Sequence, residues 1–258
     1  MTPAKLFIAY QTIARKEMTR IFRIWSQTLL PPVITQSLYF LIFGGFVGSR
    51  ISGDFNGQKY IEFIVPGLVM MAVITSSFSN VVGSFFGSKF QKNIEELLVS
   101  PTPNWIIIAG FITGGIVRGL LVGFIVFLVG YLFTGVTIAN PLIMLLFVFL
   151  TAVVFSLGGL INAIFATKFD DISIFPTFVL TPLTYLGGVF YSIKQLPEVW
   201  QIISKLNPIV YMIDGFRYGF SGRSDLNIWF SFGMLMVFTV GFWTICWYLL
   251  KKGIGLKS

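Results

Sequence analysis

Two neighbouring carboxylates, Glu95 and Glu96, stand within a charged internal stretch at residues 89–101. The stretch predicts a short helix with its charges on one side and apolar side chains, among them Leu97 and Leu98, on the other. Prolines follow and end it. Because long apolar runs precede and follow the stretch, the helix is expected at a membrane surface. It is suited to docking a soluble domain, although in a generic membrane protein it would simply connect two spans.

Histidine is missing from the sequence, and the single cysteine, Cys246, lies inside the last apolar run. The missing histidine excludes His-based acid–base catalysis, Ser/His triads and the usual zinc sites. One cysteine allows no intrachain disulfide, so a packing role is favoured. The string nearest to a P-loop, Gly83 to Lys89, lacks the required spacing and lies in an apolar run. Any ATP that drives this protein must therefore bind another chain, and we expect no cofactor on this one.

Polar side chains recur inside three of the apolar runs, at spacings that place them on one helical face. In the first run Gln27, Pro31 and Thr35 follow one another at intervals of four, and the proline predicts a kink. Such stripes usually pack helix against helix, yet three of them together also favour a shared polar pathway. The candidates for that pathway are Gln27, Thr35, Gln36, Tyr39, Asn80, Thr177, Thr181 and Tyr185.

One cation, Arg118, lies near the middle of the third apolar run. A central Arg costs roughly 2.5–3.5 kcal/mol on the insertion scale, which the surrounding apolar residues can offset. A buried partner is expected, either Glu62 or a backbone carbonyl, and structural pairing is favoured over a direct role in transport. The same run has small-xxx-small spacing, a common pattern that lets helix backbones approach closely. Its glycines are Gly110, Gly114, Gly115, Gly119 and Gly123.

The composition places the chain in lipid. Of 258 residues, 55% are hydrophobic and 11% charged, and the mean hydropathy is +0.85. Soluble domains carry about 25% charged residues. The apolar runs do not alternate in polarity, so helices rather than a β-barrel satisfy the backbone. The net charge of +8 clusters between these runs, which indicates a positive-inside bias rather than a nucleic-acid partner.

The sequence predicts an all-α membrane protein with six transmembrane helices, in a single domain over residues 1–258. These helices must position the residues described above. Residues 1–24 predict a cytoplasmic amphipathic interfacial helix. Lys and Arg are more frequent on the side that holds both termini, so both termini, including the tail at 251–258, are predicted to be cytoplasmic. The predicted spans are residues 25–48, 60–88, 105–133, 141–166, 172–193 and 227–250.

The charged stretch resembles the E-x-L-x-x-x-P motif of ABC-2 type transporter permeases, with Glu95, Leu97 and Pro101 at the matching positions. The family carries that motif between its second and third spans. Its signature ahead of the last span resembles the residues Leu206, Asn207 and Pro208, followed by Arg217. Both motifs are in register with the predicted topology, and the resemblance covers essentially the whole chain. The sequence is most similar to inner-membrane permeases of enterobacteria.

This resemblance implies the permease subunit of an exporter in the bacterial inner membrane. It implies a homodimer that forms the translocation pathway, with two copies of a separate ATPase that bind ATP and Mg. It also implies that residues 194–226 form an external re-entrant segment before the last helix. The residues implied in contact with the ATPase lie on the N-terminal helix and in the charged stretch, and are Arg15, Lys16, Lys92, Glu95, Glu96, Leu97, Leu98 and Pro101.

Two other classes of function stay open. A secondary transporter or channel without an ATPase partner would need an intramembrane acidic site for ion coupling, but only Glu62 approaches a span. A membrane-embedded enzyme would need histidine or clustered carboxylates in the spans, and the sequence has neither. The permease of an ATP-driven exporter explains the sequence best.

Overall fold

The computed structural model describes residues 2–48, 59–135 and 137–256, and the regular elements in these ranges are helices. The predicted all-α class is confirmed. Most of the connection between the first two predicted spans lies outside the described residues, as do the last two residues of the predicted tail.

The chain begins with two consecutive helices, α1 (Pro3–Arg23) and α2 (Trp25–Tyr39), and α2 continues as a π-helix over Phe40–Val47. α1 starts with proline at a position where no backbone N–H is needed. It lies along the first turns of a later helix, so it is part of the bundle. Pro31 and Pro32 lie inside α2, where each removes one hydrogen bond of the helical ladder.

Four further helices build the centre of the fold: α3 (Tyr60–Phe90), α4 (Asn93–Val99), α5 (Asn104–Thr134) and α6 (Pro141–Phe165). α3 is the central helix, with most of its side chains buried against α5 and α6. The glycines of α5 allow this close approach. A Cβ on Gly119 would overlap Ser77, and one on Gly123 would lie 2.5 Å from Val73 Cγ2.

The rest of the chain starts with a continuous helical stretch at residues 171–185, called segment 171–185 below. It consists of α7 (Asp171–Phe175), a π turn (Pro176–Leu180) and α8 (Thr181–Tyr185). A 3-10 turn (Ile193–Gln195) leads to α9 (Glu198–Lys205), α10 (Pro208–Ser221) and α11 (Ile228–Lys252). α10 is short but almost fully buried.

Within the described ranges, five helices are long and apolar enough to cross a membrane: α2 with its π extension, α3, α5, α6 and α11. They match five of the six predicted spans to within a few residues. The sixth prediction, 172–193, corresponds to segment 171–185. At about 1.5 Å per residue this segment is roughly 22 Å long, shorter than the ~30 Å hydrocarbon core. The chain turns soon after Tyr185, and Gly188 there has a φ of +78°, in the left-handed region that favours glycine.

The bundle has two distinct ends. At one end, the α1 end, Lys89 Nζ donates to the carbonyls of Ile164 and Ala166, each at 2.7 Å, and joins the end of α3 to the end of α6. At the other, the α9 end, the backbone N–H of Asn140 donates to Gly219 O at 2.8 Å, which joins the start of α6 to α10. The predicted contact residues thus lie at the α1 end, whereas Arg217 of the predicted signature lies within one helical turn of this contact at the α9 end.

Candidate functional site

The two regions predicted to contact an ATPase meet at one cleft, at the α1 end. Its volume is about 400 Å³. α1 contributes Ile13 and Lys16 to one wall, and α4 contributes Glu96 and Leu97 to the other. We call it the α1–α4 cleft. Folding therefore places residues that are far apart in the sequence around one concave surface, which is suited to receive a protruding element of another protein.

α4 is the short helix predicted from the charged stretch, and it ends before the prolines. Ile94 is buried and holds α4 on the bundle, while Glu95 and Glu96 are exposed. Lys92, directly before the helix, has a φ of +61°, which turns the chain sharply into α4. Val99 is 87% exposed, so apolar surface as well as charge is presented here. Among the other predicted contact residues, Leu97 and Leu98 are half-buried, and Arg15, Lys16 and Pro101 are exposed.

Basic side chains of α1 border the cleft. Lys16 Nζ donates to Ser88 Oγ at 3.1 Å and lies 5.5 Å from the centre of the Phe111 ring. Arg15 and Arg23 line an adjoining groove of about 610 Å³. The α1 wall therefore carries the positive charge of Lys16, and the α4 wall carries the negative charge of Glu96.

A buried carboxylate, Glu17, joins α1 to the centre of the bundle. Its side chain is fully buried, with Oε1 accepting from Ser84 Oγ at 2.5 Å and Oε2 accepting from Arg20 Nη2 at 3.1 Å. Arg20 Nη2 also donates to the backbone O and to Oδ1 of Asn80, at 3.0 and 2.9 Å. A buried charge persists only when it is paired and hydrogen-bonded, and these bonds supply that. The position of α1 on α3 is therefore specified by polar geometry.

Gly114 of α5 makes room for this network. A Cβ at Gly114 would lie 2.8 Å from Glu17 Cβ and 3.0 Å from Asn80 Nδ2. The sequence analysis missed Glu17 because an acidic residue in an amphipathic helix predicts a solvated face. The glycine run indicates a close approach on α5, but it does not identify the residue that approaches.

Arg118 pairs with a backbone carbonyl, as one of the two predicted alternatives had it. Its Nη2 donates to Thr28 O at 3.3 Å. That carbonyl is free because the residue four positions on, Pro32, has no N–H to donate. The other alternative is wrong: Glu62, in the first turn of α3, forms no ion pair with Arg118. Pro32 of α2 thus leaves free the backbone carbonyl that accepts a hydrogen bond from Arg118 of α5.

The predicted pathway residues divide into two groups. Gln36 and Asn80 are buried, and each has a side-chain atom without a hydrogen-bond partner, Oε1 of Gln36 and Nδ2 of Asn80. The other six are half-buried or exposed. Tyr39 and Tyr185 are half-buried and share a hydrogen bond of 2.5 Å between their hydroxyls, which joins α2 to α8. The exposed members are Gln27, Thr35, Thr177 and Thr181.

The predicted signature before the last helix makes precise contacts at the α9 end. Asn207 caps α10: its Oδ1 accepts from Ile209 N at 3.0 Å, while its Nδ2 donates to Leu183 O at 2.7 Å. Pro208 follows at the first helical position, where it fits without loss. Leu206 is 78% exposed. The signature therefore ties α10 to the end of segment 171–185.

Arg217 is the buried cation of that signature. Its Nη2 donates to Gly188 O at 2.7 Å, and its guanidinium lies 3.9 Å from the centre of the Phe63 ring. One helical turn away, Asp214 accepts from Ser224 Oγ at 2.6 Å and from Asp225 N at 2.9 Å. These contacts join α10, the turn after segment 171–185 and the chain that leads to α11. Sequence reasoning singled out Arg217 and missed Asp214.

The turn at the start of segment 171–185 is held by Asp171. Its Oδ2 accepts from the backbone N–H and the hydroxyl of Thr167, both at 2.8 Å, and from the backbone N–H of Lys168 at 2.9 Å. These bonds, the one from the Thr167 backbone first, lower the pKa of the Asp171 carboxyl below its ordinary value. The segment thus starts from a defined turn at the α1 end.

Known proteins resemble this chain over most of its length. A sequence profile of the ABC-2 type transporter family matches residues 8–221. The chain is 57% identical over 252 residues to the protein named Inner membrane transport permease YadH of Escherichia coli (strain K12). This alignment covers 98% of this chain and 98% of that protein. It is 24% identical over 230 residues to Nodulation protein J of Rhizobium leguminosarum bv. viciae, covering 87% of this chain and 85% of that protein. The predicted resemblance is confirmed.

Proposed function

The chain belongs to the ABC-2 type transporter family, and we propose that it acts as a homodimeric exporter permease driven by a separate ATPase. As a family member it is a multi-pass inner-membrane permease of an ABC transporter. The proposal adds two copies of the ATPase, which bind the ATP and Mg, docked at the α1 end. Both chain termini then lie in the cytoplasm.

The α1–α4 cleft is the observation that carries this proposal. A concave site with a basic wall, an acidic wall and exposed apolar side chains suits a helical or loop element of a soluble domain. α4 is held by the buried Ile94, so a push on Glu95 or Glu96 is transmitted to the ends of α3 and α5. ATP-driven closure of the ATPases would thereby bias the permease between inward-open and outward-open states.

The exposed polar residues support the proposed dimer and its pathway. Gln27 and Thr35 on α2, and Thr177 and Thr181 on segment 171–185, are exposed in one chain. Polar side chains that face hydrocarbon are unfavourable, so a second copy is the better neighbour for these two elements. We place the pathway between two copies, and we take segment 171–185 as a sixth crossing of one 1–258 domain. Residues 194–226, with α9 and α10, then form the external re-entrant segment.

Purification from mild detergent, followed by native mass spectrometry, tests the proposal. The wild-type complex is expected to contain two copies of this chain and two of an ATPase. Glu96→Lys is expected to lower the retained ATPase, and changing Glu95 as well is expected to abolish coupling of ATP hydrolysis to transport while membrane insertion is kept. Glu198→Lys, an exposed acid on α9, is the matched control. A purified chain that transports its cargo with no ATPase present would refute the proposal.

A further inference from the structure

An apolar cavity of about 430 Å³ lies inside the bundle, away from the α1–α4 cleft. Its walls come from α3, α6, segment 171–185, α10 and α11. Asn162 is its one polar side chain, and the Nδ2 of that residue lies 3.4 Å from Ile172 O. The cavity thus offers an almost purely hydrocarbon lining within the depth of the membrane-spanning helices.

The cavity opens on the outer surface of the bundle. Phe165, Phe175 and Ile245 line it and are 57%, 40% and 44% exposed, so the mouth lies among them. The floor is formed by α10, where Ile209 and Met212 are buried. α11 and segment 171–185 flank the mouth without packing on each other to any extent. The opening therefore faces the medium that surrounds the helices, in the half of the bundle nearer the α1 end.

We propose that this cavity holds one hydrocarbon chain of a membrane lipid, which enters between α11 and segment 171–185. A 150 Å³ apolar cavity accommodates benzene, so by proportion 430 Å³ accommodates about seventeen carbon atoms. That is the length of one acyl chain. A whole phospholipid is too large, and its headgroup stays at the mouth.

The lining selects this occupant. An apolar cavity of this kind stays dry, and a charged or polar solute would find no partner on the walls apart from Asn162. A second copy of the chain is expected at the polar side chains of α2 and at Thr177 and Thr181, whereas segment 171–185 lines the cavity with other residues, Phe175, Leu180 and Leu183. Acyl chains are the apolar molecules present at high concentration at the mouth, and filling the cavity restores dispersion contacts that an empty one forfeits.

Gly158 gives a way to fill the cavity with a side chain. A Cβ there would lie 3.6 Å from Phe242 Cε2 and 3.8 Å from Phe78 Cε2, which is ordinary van der Waals contact. Gly158→Phe therefore projects into the cavity, and Gly158→Leu is a milder version should the larger residue disturb folding. Gly233→Phe on α11 is the matched control, because nothing lies within 4 Å of a Cβ at Gly233.

The experiment uses the full chain in vesicles of phosphatidylethanolamine and phosphatidylglycerol that contain phosphatidylcholine with a diazirine on one acyl chain. After illumination, labelled residues are mapped by peptide mass spectrometry. Met212 is 1% exposed and lines the cavity, while Val237, 68% exposed, reports bulk lipid. We expect label on both in the wild type, and on Val237 alone in Gly158→Phe, with Met212 labelling reduced roughly fivefold or more as the packed side chain occupies the space.

An unlabelled Met212 in the wild type overturns the proposal, as does equal labelling of Met212 in Gly158→Phe and Gly233→Phe. Gly158→Leu is expected to give an intermediate value. No ATPase is present in these vesicles, so the result does not depend on the proposed coupling.

Discussion

Replacing Asn207 by Ala tests whether the signature before α11 is a structural joint. The side chain does two things at once. It caps α10 through Oδ1, and it donates through Nδ2 to Leu183 O, a carbonyl near the end of α8 where the N–H of Gly187 bonds to Thr184 O instead. Carbonyls in the last turn of a helix lack helical donors. The Leu183 carbonyl therefore depends on the Asn207 side chain for its hydrogen bond.

The magnitude follows from these two bonds. Loss of an N-cap costs about 1 kcal/mol, and leaving a buried carbonyl unpaired costs about 1–1.5 kcal/mol more. Asn207→Ala is therefore expected to lower the free energy of unfolding by about 2 kcal/mol. Denaturation with sodium dodecyl sulfate in mixed micelles, followed by circular dichroism, measures this quantity for a helical membrane protein.

Asn227 supplies the matched control. It caps α11 by accepting from Trp229 N at 2.9 Å and Phe230 N at 3.4 Å, but it is exposed and its side chain makes no bond to another helix. Asn227→Ala should thus cost about 1 kcal/mol. If Asn207→Ala and Asn227→Ala cost the same, the bond to Leu183 contributes nothing and the reasoning is wrong.

The contact between Arg118 and α2 depends on Pro32. Pro32→Ala restores a helical donor for the carbonyl that Arg118 uses. Arg118→Leu should therefore lower the free energy of unfolding by about 1 kcal/mol less in the Pro32→Ala background than in the wild type, as a double-mutant cycle measures. Equal costs in the two backgrounds would show that the two residues are independent. The Asp171 carboxyl has a lowered pKa in the fold. Its stabilising effect is complete above the pKa of an unfolded Asp and is lost as pH falls through the lower folded value. The protection factor of the Thr167 N–H, which corrects the exchange rate for its intrinsic dependence on pH, should accordingly fall at acidic pH, and should be low at neutral pH in Asp171→Ala; a protection factor that does not change with pH argues against the assignment.

The long helices could be predicted closely from the sequence because one physical rule determines them. A run of apolar residues long enough to cross hydrocarbon must be helical, so 60–88 and 105–133 correspond to Tyr60–Phe90 and Asn104–Thr134. Segment 171–185 was harder. Its apolar run continues past Tyr185, but the backbone turns near Gly187, where a Cβ would lie 2.8 Å from Ile209 Cγ2. That limit comes from α10, a distant part of the sequence.

The site was predictable only where its residues are exposed. The acidic pair of α4 faces solvent, as its helical pattern indicates. Glu17 is buried because Ser84, Asn80 and Gly114 form a polar pocket around it, and no local pattern in α1 specifies that pocket. Buried polar groups depend on partners brought together by folding, so one-dimensional periodicity assigns them to the wrong face.

The burial of Glu17 has a consequence for how the protein is made. α1 is synthesised before α3 and α5, yet Ser84, which bonds its carboxylate, lies on α3, and Gly114, which leaves room for it, lies on α5. Until those helices are in place, the first helix has no site in which to bury its charge. Burial of the Glu17 carboxylate therefore requires α3 and α5 to be in place first, so the docking of α1 depends on their packing.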